Sequence, residues 1–222
     1  MDSAKDIFWL ESTVGEDDLM EYFQETAFDY ELCKQNPEHA RRNRPKRPLE
    51  IIAPIRPLTD FQWTVFGDCI VTSTVKASFE TAQLSGAEFR TVKCYSSSGL
   101  PFEQELFELR VIGWGGMAAP SSGVHVIREC KYCGRRVYSG YTNPADLFDF
   151  DGWDGTDLFV IWPLPRYIMI LPSVKSWIIE NGFSGVVPRE LSRLPKVVAG
   201  TLTPGSLEDW FDDDKVRAIH CN

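Results

Sequence analysis

A chain of 222 residues with 43% hydrophobic and 13% aromatic content can bury a full core as one large domain or two interlocked halves, so disorder is not the expected reading. Its formal charge of −9 repels a nucleic-acid backbone on balance, so no nucleic-acid partner is expected and a basic partner is favoured. The first twenty residues, MDSAKDIFWLESTVGEDDLM, carry acids where an export signal needs basic residues and an apolar run, and no segment reaches the roughly 18 apolar residues that span a bilayer. The expected location is therefore the cytoplasm, where the six cysteines serve as thiols or metal ligands rather than disulfides.

In chain order, residues 1–48 read as an N-terminal helix and a basic linker. Leu19, Tyr22 and Phe23 recur at helical spacing behind Glu16, Asp17 and Asp18, acids that suit a first turn. Arg41, Arg42, Arg44, Lys46 and Arg47 follow among prolines, which reads as an exposed linker. Residues 49–104 form a first strand-helix-strand unit, with LEIIAPI, FQWTVF and CIVTSTV as short strands, a helix from 75 to about 84, and AEFRTVKCY as a strand. Residues 105–157 hold an alternating strand, a Gly-rich turn, a cysteine pair and the acidic loop DLFDFDGWDGTD. Residues 158–200 form a second strand-helix-strand unit, and residues 201–222 an acidic C-terminal tail.

The two units are similar in sequence. IVTSTVKASFETAQLSGAEF (70–89) and MILPSVKSWIIENGFSGVVP (169–188) align without a gap at a constant separation of 99 residues. Val75-Lys76 then meets Val174-Lys175, and Ser85-Gly86 meets Ser184-Gly185. Thr74 and Ser173 are the expected helix caps, and Gly86 and Gly185 the expected helix stops. Two such units need each other to cover their apolar faces, so the expected fold is α+β, with mixed or antiparallel sheet around the pair and a CxxCG knuckle between them.

The order of parts in LFELRVIGWGGMAAPSSGVHVIRECKYCGRR and DLFVIWPLPRYIMILPSVKSWIIENGFSGVVPREL resembles the bacterial double-CxxCG motif family, immunity proteins of Sit-type contact-dependent toxins. The resemblance covers roughly residues 65–191 and is strongest from Leu106 onward. It implies a non-enzymatic protein that binds and neutralises a cognate toxin. The family's first CxxCG lies near the N-terminus, where this chain offers Cys33 and, six residues later, His39.

Cys130 and Cys133 have the spacing of a zinc knuckle, but one such turn supplies half of a tetrahedral shell. Cys33 with His39, or His220 with Cys221, are the further candidate ligands for zinc. A vestigial turn and a redox pair are the alternatives. The tail and the acidic loop offer a candidate partner surface: Trp153 with Asp149, Asp151 and Asp154, and Trp210 with Asp212 and Asp213, an acidic face with aromatic anchors for a basic protein toxin. No nucleophile, base and orienting group stand in a catalytic pattern, so no catalytic residue is expected. The alternative to an immunity protein is a zinc-ribbon adaptor or regulatory binding protein.

Overall fold

The structure, a computed structural model, describes residues 7–23, 29–36, 39–43 and 48–221; at 29–32, 40–43 and 221 only the backbone is described. Strands β1 (Phe8–Ser12), β2 (Glu21–Tyr22), β3 (Asp29–Leu32), β4 (Ala40–Asn43), β5 (Glu50–Ile52), β6 (Phe61–Trp63) and β7 (Cys69–Thr72) precede helix α1 (Ser73–Thr81). β8 (Ala87–Tyr95), β9 (Leu106–Val111), β10 (Trp114–Met117), β11 (Val126–Glu129), β12 (Arg136–Ser139), β13 (Leu158–Trp162) and β14 (Met169–Ile170) lead to α2 (Pro172–Asn181). β15 (Val186–Glu190), β16 (Thr201–Leu202) and α3 (Asp213–Cys221) complete the α+β fold. Among the described residues no helix is long and apolar enough to cross a membrane.

The two units have the same strand topology. The first runs β6-β7-β9-β8 and the second β13-β14-β1-β15, with every neighbouring pair antiparallel. In each, the strands flanking the helix are separated by a third strand inserted between them. The strand after β8 fills that place in the first unit, and β1 fills it in the second. Apolar runs such as CIVT in β7 and LFVIW in β13 are buried along their whole length, as strands covered on both faces must be.

A pseudo-two-fold relation joins the units, and its contacts are reciprocal. Ser85 donates its N–H (3.0 Å) and Oγ–H (2.7 Å) to Asp157 Oδ2, and Ser184 donates the same two groups to Asp60 Oδ2 at 2.9 and 2.6 Å. Each aspartate N–H returns a bond to its serine Oγ, at 3.1 and 3.0 Å. Leu158 N–H donates to Ser85 O, and Phe61 N–H to Ser184 O, both at 3.0 Å. The helices meet across the same relation, for Trp177 Nε1 donates to Ser78 Oγ at 2.9 Å. These two positions are 99 residues apart and are equivalents in the repeat, as contact across a two-fold axis requires.

At Gly86 and Gly185 the backbone of each unit presses against a carbonyl of the other. A Cβ on Gly86 would stand 1.9 Å from Leu158 O, and one on Gly185 2.0 Å from Phe61 O, at φ of +91° and +85°. Contrary to the expectation from sequence, these glycines do not stop the helices; α1 ends at Thr81 and α2 at Asn181, where Gly182 takes the left-handed conformation. The expected caps also differ. The helices follow Thr72 and Leu171, with no side-chain cap bond, and Ser173 Oγ instead donates to Asp157 Oδ1 at 2.9 Å.

The N-terminal helix expected within residues 1–48 is replaced by extended chain. Glu16–Asp18 makes one 3-10 turn and β2 follows. Met20 is fully buried, donating its N–H to Trp63 O and accepting from Val65 N–H. The helical spacing of Leu19, Tyr22 and Phe23 loses because a sheet edge takes up the backbone groups a helix would have paired internally. Residues 24–28 of that expected helix, and Arg44, Lys46 and Arg47 of the expected linker, lie outside the described residues, while Arg41 and Arg42 pair with β3 in a hairpin. The expected boundaries are crossed in the same way, with β1 in the sheet of the second unit and β9 in that of the first.

Candidate metal centre

The hairpin β11–β12 turns through Cys130-Lys131-Tyr132-Cys133-Gly134. Cys130 N–H donates to Arg135 O at 2.9 Å, and Gly134 N–H to Cys130 O at 2.9 Å. Closing so tight a turn puts Gly134 at φ +67°, a conformation glycine adopts without strain. The N–H groups of Cys133 and Tyr132 face the Cys130 sulfur and bring its pKa down to about 6, so a thiolate is present at neutral pH. Cys133 is shifted the other way, by desolvation first and then by sharing a proton with the Cys130 and Cys33 sulfurs.

The second half comes from the loop between β3 and β4. Cys33 N–H donates to His39 O at 3.2 Å and His39 N–H to Asn36 O at 2.9 Å, which folds that loop so that both side chains face the knuckle. Cys33 Sγ lies 4.0 Å from Cys130 Sγ, and His39 Nδ1 lies 3.8 Å from Cys133 Sγ. The four ligand atoms all lie within 4.8 Å of one another. Zinc–sulfur bonds of about 2.3 Å give tetrahedral edges of about 3.8 Å, so these side chains could hold a zinc ion as a Cys₃His set with little movement. Asn36 Nδ2 lies 3.2 Å from His39 Nε2. With a metal on Nδ1 the ring proton sits on Nε2, and the Asn36 amide would turn its oxygen to accept it.

Cys33 is buried, Cys130 and His39 are half-buried, and Cys133 is exposed. The cluster joins residues 97 positions apart. His220 is exposed on α3 and is not part of the cluster, which corrects the expectation that it might complete the shell; the Cys221 side chain lies outside the described residues. Cys69 and Cys94 are buried thiols with pKa values raised by desolvation, to about 11 for Cys94. No protein-family model matches the chain, and no curated protein does either.

The two acidic segments are brought side by side. Lys215 Nζ at the start of α3 donates to Asp154 Oδ2 at 2.6 Å. Burial alone would raise the Asp154 pKa, but Lys215, Thr156 and the Trp114 N–H bonded to its carboxylate hold it below the usual range. Asp151 and Asp213 are exposed, whereas Asp149 accepts from Asp151 N–H and Asp212 from Lys215 N–H. The two tryptophans are committed internally. Trp153 donates to Thr156 O at 3.0 Å and packs edge-on against Phe148, while Trp210 donates to Pro204 O at 2.7 Å beside the buried Phe211.

Two signals in the sequence went unread. Asn36 stands three residues before His39, a spacing that allows a side chain to brace a ligand. Thr59-Asp60-Phe61 and Thr156-Asp157-Leu158 are a second short repeat, the one that carries both clasp aspartates.

Proposed function

We propose that the protein is an immunity-type binding protein, held together by a structural zinc ion, that neutralises a cognate protein toxin in the cytoplasm by covering it rather than by catalysis. The observation that carries this reading is the convergence of Cys33 and His39 on Cys130 and Cys133. The double-CxxCG family has its first cysteine pair near the N-terminus, and Cys33 and His39 occupy that place in this chain. Zinc bound here would supply no chemistry to a substrate. Its four protein ligands would close the shell, leaving no position for a reacting water. The acidic segments joined through Asp154 and Lys215 suit a basic toxin surface, where opposite charge speeds encounter and selects the partner.

The test is co-expression with the product of the adjacent gene, provided that it arrests growth when expressed alone. The expected result is restored growth and a complex that co-purifies, both weakened when Asp151 and Asp213 are changed to Lys. Growth arrest that persists, together with separate elution of the two purified proteins, would overturn the reading.

A further inference from the structure

Between the two units and the C-terminal segment lies a cavity of about 230 Å³. Its lining includes Arg90 and Arg110 from the first unit, Arg166 from the second and Arg135 from the metal-binding turn. In a chain of charge −9 this is a local concentration of guanidinium groups. Three acids also line it: Asp68, Glu108 and Asp209. Two of them are turned to the fold. Asp68 accepts from Thr64 Oγ1 and from the Tyr22 hydroxyl, and Asp209 from the Ser206 N–H and hydroxyl.

Arg110 is the unusual group. It is only 7% exposed, donating through Nη1 to Glu88 Oε1 at 2.7 Å and through Nη2 to the Trp210 carbonyl at 3.2 Å. Its Nε–H is shielded from solvent and meets no acceptor among the described residues. A buried charged donor left without an acceptor is costly, and charged groups lose most. Desolvation also pulls the Arg110 pKa down, with Asp212 opposing it. Arg166 is exposed and pairs with no acid among the described residues.

We propose that this cavity binds a small anion bearing a carboxylate or phosphoryl group, held by Arg110 and Arg166 with Arg90 beside them. Guanidinium forks match the paired oxygens of either group, and Arg110 and Arg166 both line the cavity. Pro204, Trp210 and Phe211 also line the cavity, and their apolar side chains suit the uncharged part of the ligand. The site is independent of the toxin-binding reading, because its walls meet whether or not a partner is present.

Titration calorimetry on the full-length, metal-loaded protein tests this, with inorganic phosphate and malonate as probes at constant ionic strength set by chloride. At least one probe is expected to bind saturably with one site per chain, and the preferred probe identifies the anionic group. Arg166→Ala and Arg110→Met are expected to weaken binding about tenfold or more, the loss of a charge-assisted hydrogen bond. Lys196→Ala, an exposed change outside the cavity, should leave it unchanged. If Arg110→Met does not fold, as judged by its near-ultraviolet circular dichroism, Arg166→Ala decides. The proposal is overturned if neither probe gives saturable heat above chloride, if Arg166→Ala binds like the parent, or if Lys196→Ala loses as much.

Discussion

In the paired units Phe61, Val75, Ile170 and Val174 are fully buried in one shared core, with full burial of such a side chain stabilising by about 1.5–3 kcal/mol. The hairpin β3–β4 is built differently. It pairs only with itself, and among its described side chains Cys33 alone is buried. One region is held by apolar area and reciprocal hydrogen bonds, while in the other four side-chain atoms from two turns converge where a metal ion could be held. A segment too small to own a core can be fixed by a metal, because ligation closes a long loop and replaces burial. The difference would also separate their failure modes: the core fails by steric or cavity defects, and the hairpin, if a metal is bound there, by loss of a ligand.

The largest effect on stability should come from filling the glycine contacts. Gly86→Ala or Gly185→Ala puts a methyl about 2 Å from a backbone carbonyl at positive φ and is expected to cost more than about 3 kcal/mol, read as a lower urea midpoint. A change of less than about 1 kcal/mol would mean that the units are not pressed together as described. Cys33→Ser should act on the other region. Metal content falls from about one equivalent to less than half, and protease cleaves within residues 29–43 first, while the melting transition of the units moves by only a few degrees. Collapse of the whole fold on metal removal would show that the two regions are not separable.

Asp60→Asn and Asp157→Asn sharpen the symmetry argument. Each weakens its clasp with one serine, and Asp157→Asn also touches the Ser173 bond to Oδ1, so each should cost about 1–2 kcal/mol, with Asp157→Asn somewhat the costlier in equilibrium unfolding. A several-fold disparity would mean that the clasps are alike in geometry only. The smallest effect is expected for Asn36→Ala, which leaves all four ligands in place but removes the brace on His39. Metal affinity should fall about tenfold, measured by competition with a chromophoric chelator, with the unfolding midpoint of the loaded protein nearly unchanged.

The strand-helix-strand units were legible because their signals are local. The β-branched runs before Ser73 and Pro172, and the constant separation of 99 residues between Ser78 and Trp177, lie within short windows of chain. The CxxCG turn is local too. The N-terminal region misled because Leu19, Tyr22 and Phe23 mimic a helix face, while what decides their conformation is the distant backbone of Trp63 and Val65. Gly86 and Gly185 read locally as helix stops, but their value lies in the carbonyl of the other unit, which no window around Gly86 contains.

By itself the sequence determined the α+β class, the duplication, and the half-site of Cys130 and Cys133, since propensity, periodicity and turn spacing are properties of neighbouring residues. Only the tertiary structure decided that Cys33 and His39, not His220, face that half-site, that β1 belongs to the second unit, and that Arg110 ends buried beside a cavity. These depend on which residues far apart in the chain are brought within a few ångströms, and that follows from burying both units against each other rather than from any local preference.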